Sequence, residues 1–172
     1  MDILKHYILH FSGLGLGLHN YQYKISNDFF AEFDNTEIGQ ASINVDLSLD
    51  KQERMLVLDF EIKGSINVMC DRCLDNFDFP IDGNERLIVK FGEAFEEENE
   101  DVIVLHEHEH QIDLSSYLYD FIILMLPIRM VHQEDENGNS DCNPEIIKKL
   151  KNLSEPETDP RWGSLKDLIS DN

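Results

Sequence analysis

The residues best suited to chemistry are three cysteines and a histidine. Cys70 and Cys73 stand three positions apart in Val68-Met69-Cys70-Asp71-Arg72-Cys73-Leu74, with His132 and Cys142 far downstream. A Cys-x-x-Cys pair serves as half of a zinc site, as a redox dithiol, or as two buried thiols that happen to be neighbours. With His132 and Cys142 it completes a Cys3His set, a ligand count typical of structural zinc. Redox chemistry needs a depressed thiol pKa, usually supplied by a helix N-terminus. Asn76 to Ile81 reads instead as a strand, so that support is missing at Cys73. Cys142 directly precedes a helix start, where the helix dipole favours a thiolate. The expectation is a zinc site of Cys70, Cys73, His132 and Cys142; its alternative is three reduced, buried thiols and a surface histidine.

Two other stretches mimic functional motifs. His106-Glu107-His108-Glu109-His110 contains a literal His-Glu-x-x-His, which in metalloproteases binds zinc from one helix face. Here Val102 to Leu105 leads in as a strand and the helix cap comes only at Asp113, so a solvated edge strand is expected, its histidines sharing one face. Ser12-Gly13-Leu14-Gly15-Leu16-Gly17-Leu18 lacks the Gly-Lys-Ser/Thr ending of a phosphate loop. It reads as a bend whose backbone lies close against a core. No Ser-His-Asp or paired-carboxylate pattern rises above what 35 acidic residues scatter by chance, and no enzyme active site is expected.

The elements that must position the four ligands are mostly strands. Ile3 to Phe11 and Tyr21 to Ile25 are rich in β-formers. Ala41 to Leu49 alternates, with Ile43, Val45, Leu47 and Leu49 on one face. Met55 to Ile62 alternates likewise, with Leu56, Leu58, Phe60 and Ile62, and the two form a hairpin with one dry and one wet face. Ile66 to Cys70, Phe77 to Asp82, Arg86 to Phe91 and Val102 to Leu105 are further strand candidates, and Asp28 to Phe33 fits a short helix or a loop with buried phenylalanines. Helices follow. Asp113 is a good N-cap for an apolar face of Leu114, Tyr117, Leu118, Phe121, Ile122 and Met125, closed by Pro127. Asn143 and Pro144 open another helix, with Ile146, Ile147, Leu150 and Leu153 on one side. After a linker at Glu155–Thr158, Asp159-Pro160 opens a last short helix carrying Trp162, Leu165 and Leu168. Strands first and helices last, without βαβ alternation, predict an α+β fold: an antiparallel, curled or partly closed β-sheet followed by C-terminal helices. Residues 1–153 are expected to form one α+β domain, and residues 154–172 a linker and a short amphipathic helix.

Charge sets the choice of partner. The 172 residues carry 35 Asp and Glu against 14 Lys and Arg, a formal charge of -21. Such a surface repels phosphate backbones, because nucleic-acid affinity comes largely from Lys and Arg displacing counterions. Basic proteins are its electrostatic complement. Glu93 to Asp101, with six acids and no base, reads as a solvated loop. Pro144 to Leu168 is the exception, with five bases and five acids, and it is the one segment able to approach RNA without strong repulsion. Three cysteines do not make a secreted disulfide framework, the first residues do not read as a signal peptide, and no apolar run is long enough to span a bilayer. A reduced, cytoplasmic setting is expected.

Several of these residues, in order, resemble one family. Cys70-Asp71-Arg72-Cys73-Leu74, then Leu124-Met125-Leu126-Pro127 with His132 and Cys142, then Asp159-Pro160-Arg161-Trp162 with Leu165 and Leu168, are similar to the bacterial YceD family, the large ribosomal RNA subunit accumulation proteins. The resemblance implies a non-enzymatic cytoplasmic factor needed for 23S rRNA to accumulate, hence for large-subunit assembly, with no obligate catalytic thiol. Its expected partner is a ribosomal protein or a pre-ribosomal large-subunit particle, met through the acidic surface, with no membrane involved. Naked nucleic acid is expected to bind only through the C-terminal segment. Trp and Arg are enriched at binding hot spots, so Arg161, Trp162, Leu165 and Leu168 are the expected partner contacts. The competing classes are a small structural-zinc or RNA-binding module without a direct role in assembly, and a zinc- or thiol-dependent enzyme.

Overall fold

The computed structural model describes residues 3–34, 38–92, 102–134 and 140–154. It divides into two compact units, one of residues 1–69 with 76–130, the other of residues 70–75 with 131–172.

The first unit is built on a five-stranded sheet in the order β2 (Gly17–Ser26), β3 (Ala41–Lys51), β4 (Met55–Met69), β5 (Asn76–Phe91), β6 (Val102–Leu105). The first three pairings are antiparallel and follow chain order, and β6 runs parallel to β5. The sheet does not close into a barrel. A two-stranded ribbon pairs β1 (Ile8–His10) with β7 (Gln111–Asp113). The short helix α1 (Asn27–Ala31) and the longer α2 (Ser115–Met125) complete the unit. The class is therefore α+β, with the longer helices toward the C-terminal end of the chain.

Alternation decides which face is dry. Val45 stands opposite Ile62, Leu47 opposite Phe60 and Leu49 opposite Leu58. All six are at most 1% exposed, so the two strands present one continuous apolar face. Leu87 and Val89 of β5 extend it, and Leu118 and Ile122 of α2 and Phe29 and Phe30 of α1 belong to the same core. The expected apolar stripe of α2 is thus buried along Leu114, Leu118 and Ile122. The N-cap position is Leu114, one residue after the expected Asp113, which ends β7; Asp113 Oδ1 still accepts from the Ser115 amide at 2.9 Å and the Ser115 hydroxyl at 2.6 Å. Carboxylate acceptors there satisfy donors that the first helical turn leaves free. No helix among the described residues is long and apolar enough to cross a membrane.

Three local expectations change. Ile3–Tyr7 is a 3-10 helix, and only Ile8–His10 is extended; the buried Tyr7, whose hydroxyl donates to the Lys24 carbonyl at 3.0 Å, satisfies its polar end there. His106 to His110 is not an edge strand. It is an exposed turn between β6 and β7, closed by the Glu109 amide donating to the His106 carbonyl at 2.9 Å. The glycines at 13, 15 and 17 are not forced by close packing, since a Cβ at any of them would meet nothing within 4 Å. What shapes that bend is Lys51, whose ammonium donates to the carbonyls of Phe11 at 2.8 Å and Leu14 at 2.7 Å.

The segments read as separate strands on either side of residues 64–65 and 83–84 are continuous. β4 and β5 pair over fifteen consecutive positions, from Met55 with Lys90 to Met69 with Asn76. Gly64 makes this possible for β4: a Cβ there would lie 2.1 Å from the Ser42 carbonyl oxygen and 2.7 Å from Ile43 Cα. Both are backbone atoms and cannot rotate away. Pro80 lies on the part of β5 that β6 does not reach, where a missing amide donor costs no ladder bond on that side. Substituting Gly64→Ala is expected to destabilise the protein by about 1–3 kcal/mol, the usual cost of overpacking, read as a lowered denaturation midpoint in urea at unchanged slope. An unchanged midpoint would show that β3 and β4 do not approach this closely.

Candidate metal centre

All four cysteine and histidine candidates belong to the second unit, and it brings them together. The chain leaves β4 at Met69 and re-enters the sheet at Asn76, so residues 70–75 must turn back within six residues. The turn closes with the Leu74 amide on the Cys70 carbonyl at 2.9 Å and the Cys70 amide on the Asp75 carbonyl at 3.0 Å. It places the Arg72 amide 3.4 Å from Cys70 Sγ, donating to it. Such a turn requires one residue with positive φ, and Leu74 takes that role with φ 65°.

The other two ligands arrive from residues 131–134 and 140–143. An isolated antiparallel bridge between Glu134 and Ser140 draws these stretches together, and Arg72 donates to Glu134 Oε1 at 2.6 Å, tying the first turn to the second. The Cys142 amide donates to Ser140 Oγ at 3.2 Å. Helix α3 (Pro144–Ser154) starts two residues later, and Asn143 Oδ1 accepts from the Glu145 amide at 3.1 Å, as the sequence leads one to expect.

The resulting distances are compatible with a metal site. Cys70 Sγ lies 3.8 Å from Cys142 Sγ, while His132 Nδ1 lies 3.5 Å from Cys73 Sγ and 3.6 Å from Cys142 Sγ. All four donor atoms fall within 4.8 Å of one another. Donors at the corners of a tetrahedron around zinc, with Zn–S near 2.3 Å and Zn–N near 2.0–2.1 Å, stand about 3.8 Å apart sulfur to sulfur and about 3.6 Å sulfur to nitrogen. These three separations match those values. The three thiols are free, not bridged, and all are buried.

Electrostatics support the same reading. Burial pushes the Cys70 thiol up, but hydrogen bonding from neighbouring backbone amides, among them that of Arg72 at 3.4 Å, and from the His132 side chain brings its pKa down to about 6. Amides aimed at one sulfur favour the thiolate, the form that binds metal. Cys142 is pushed up by burial and by the neighbouring Cys70 and Cys73. Three thiols so close cannot all ionise without a cation to offset their repulsion, and a divalent ion supplies that charge. The residues present therefore fit a tetrahedral, sulfur-rich metal site. With four protein ligands it would be a closed site, with no position left for substrate or water.

Sequence spacing pointed to the ligands but not to what holds them. Glu134 and Ser140 carried no recognisable signal, because their part is played through a bridge and an ion pair that only folding creates. Arg161, Trp162, Leu165 and Leu168, the expected partner contacts, lie outside the described residues, as does the acidic stretch 93–101.

An α+β protein with a Cys3His cluster mounted on a hairpin turn is the class that fold and site define. Residues 58–169 match the family described as large ribosomal RNA subunit accumulation protein YceD; the chain belongs to this family. The matched span contains all four ligands. Neither a curated protein nor a solved structure gives a significant match.

Leu74 supplies a test of the turn. Left-handed backbone costs a non-glycine residue about 1–2 kcal/mol, and Leu74 is 66% exposed, so little burial offsets it. Leu74→Gly should stabilise the protein by about 0.5–1 kcal/mol, whereas Leu74→Val, β-branched and harder to hold at positive φ, should destabilise it. Thermal melts of the two variants check the order, and a less stable glycine variant would contradict the geometry.

Proposed function

We propose that this chain is a non-enzymatic, cytoplasmic factor of ribosome biogenesis that supports accumulation of 23S rRNA and assembly of the large subunit. The observation that carries this reading is the family match, whose description names an accumulation protein of the large ribosomal RNA subunit. In this reading the Cys70, Cys73, His132 and Cys142 cluster holds a structural zinc ion that fixes the turn and the start of α3. The partner is a basic ribosomal protein or a pre-ribosomal particle, and Arg161, Trp162, Leu165 and Leu168 are among its contacts.

The described surface refines where acidity can act. On the outward face of the sheet, Asp46, Asp50, Asp59, Glu61, Asp78 and Asp82 are interspersed with Lys24, Lys63, Arg86 and Lys90. Arg86 donates to Asp59 at 2.5 Å, Lys63 pairs with Glu61, and Gln22 donates to Asp46 at 2.7 Å. That face is polar but locally compensated, which makes it a poor match for a strongly basic partner. A dense acidic surface must draw on residues elsewhere, among which 93–101 hold six acids.

Two measurements test the proposal. Purified protein should contain about one zinc per chain, and Co(II) in its place should show the intense visible bands of a tetrahedral thiolate site. Cys70→Ser or Cys142→Ser should lose both the metal and thermal stability, because metal binding is coupled to folding; metal-free protein of undiminished stability would exclude the zinc role. In cells, deletion should lower mature 23S rRNA and large subunits while sparing small subunits. Re-expression of the native chain should restore both, and a chain carrying Arg161→Ala with Trp162→Ala should not co-purify with large-subunit precursors. Unchanged subunit profiles in the deletion strain would refute the assignment.

A further inference from the structure

Helix α3 departs from the rest of the chain in charge. Its eleven residues, Pro-Glu-Ile-Ile-Lys-Lys-Leu-Lys-Asn-Leu-Ser, hold three of the protein's fourteen bases and one of its thirty-five acids. Lys148, Lys149 and Lys151 are all exposed. A helical step of about 100° per residue places Lys148 and Asn152 on the side opposite Leu150, with Lys149 and Lys151 on its two flanks. The three lysines therefore spread across the polar half of the helix, with Lys148 at its centre. Lys148 and Lys149 form no ion pair with a carboxylate among the described residues, unlike Lys63, Arg72 and Arg86. Lys151 sits in the last turn, where the helix dipole favours a cation.

A protein of charge -21 is repelled from polyanions as a whole. Exposed charges farther apart than about 8–10 Å are largely screened at physiological ionic strength, however, and three lysines within four residues act together over less than that span. We infer that α3 presents Lys148, Lys149 and Lys151 to the phosphate backbone of ribosomal RNA; this rests on the reading of the chain as a large-subunit RNA accumulation factor. Lysine suits this role as a compact cation that contacts phosphates without reading sequence. Specificity then comes from the remainder of the protein, whose acidic surface weakens contact with RNA that offers no second point of attachment. A lipid surface fits less well. Ile146 and Ile147 are already half-buried, so only Leu150 and Leu153 of the apolar stripe are exposed, at 42% and 82%. Two side chains are a small anchor for a membrane-bound helix. The ligands also fix where the lysine-bearing helix begins, since Cys142 and the Asn143 cap immediately precede Pro144.

The test uses the full-length, metal-loaded protein and transcribed fragments of 23S rRNA, with binding measured at several salt concentrations. Each phosphate contact adds roughly 0.7–0.9 to the slope of log K against log salt. Lys148→Gln, Lys149→Gln and Lys151→Gln combined should lower affinity at least tenfold at low salt and reduce that slope by about two, while the triple Lys→Arg variant should keep both. Single Lys→Gln substitutions should give graded losses, so the outcome does not depend on one heavily altered helix. Metal content and melting temperature should match the native protein in every variant. An unchanged slope in the triple Gln variant, native protein that does not bind the rRNA fragments, or tighter binding to anionic vesicles than to RNA would each overturn the inference. These results leave the ribosomal reading standing on the deletion phenotype, which is measured separately and fails independently.

Discussion

The fifteen-position pairing of β4 with β5 is the constraint on which the rest of the structure depends. Each pair fixes the next, because a slip of one residue would turn every inward side chain to water. With Leu56, Leu58, Phe60, Ile62, Ile66 and Val68 all buried on β4, that slip would expose six large side chains and cost, at about 25 cal/mol per Å² of apolar surface, many kcal/mol. The register therefore holds Met69 opposite Asn76. It also decides that the residues between them form a turn of six, neither longer nor shorter. The position of the Cys-x-x-Cys is a consequence of apolar alternation dozens of residues away from it.

Within that turn, geometry and charge act in the same direction. The Arg72 amide donates to the Cys70 sulfur, the Leu74 backbone accepts a left-handed conformation, and the Arg72 side chain reaches Glu134. Each of these has a local cost or a desolvation penalty that a collection of inert thiols would not need. An unneeded strain of 1–3 kcal/mol persists only where the surroundings over-determine it. The spacing of the four donor atoms, all within 4.8 Å of one another, is compatible with a metal ion among them.

Much of the sheet was legible in the residues. The alternation over 41–49 and 55–62 identified the buried face residue by residue, and the cap at Asn143 was readable because an N-cap depends on one side chain and its nearest amides, whereas the Asp113 reading fell one residue short of the N-cap at Leu114. The Cys3His set was readable as a composition, though no spacing rule bridges Cys73 to His132. The errors have physical causes. Gly64 and Gly83 read as interruptions because glycine weakens a strand in isolation, yet at Gly64 it is the close approach of β3 that demands glycine. His106 to His110 alternates like a strand, but alternation without apolar residues gives no face to bury, and the segment turns. The parallel edge at β6 could not be read at all, since strand direction is set by where the chain returns and four apolar residues pair equally well either way.

The sheet and the ligand cluster differ in the order in which a chain can build them. From β2 to β5 each strand pairs with its successor, so the sheet grows by adding one hairpin after another, each closing a short loop. The Cys70–Cys142 approach spans 72 residues. Loop-closure entropy rises only with the logarithm of length, about 0.6 kcal/mol per doubling, so the span is no thermodynamic obstacle. It is an obstacle of sequence in time: during synthesis from the N-terminus, the hairpins can form while Cys70 and Cys73 still lack half their ligand set. Until residue 142 has emerged, two of the three thiols stand without the third. The same feature that makes the cluster compact in the finished protein delays it until every strand of the sheet has been made, with only α3 of the described elements still to follow.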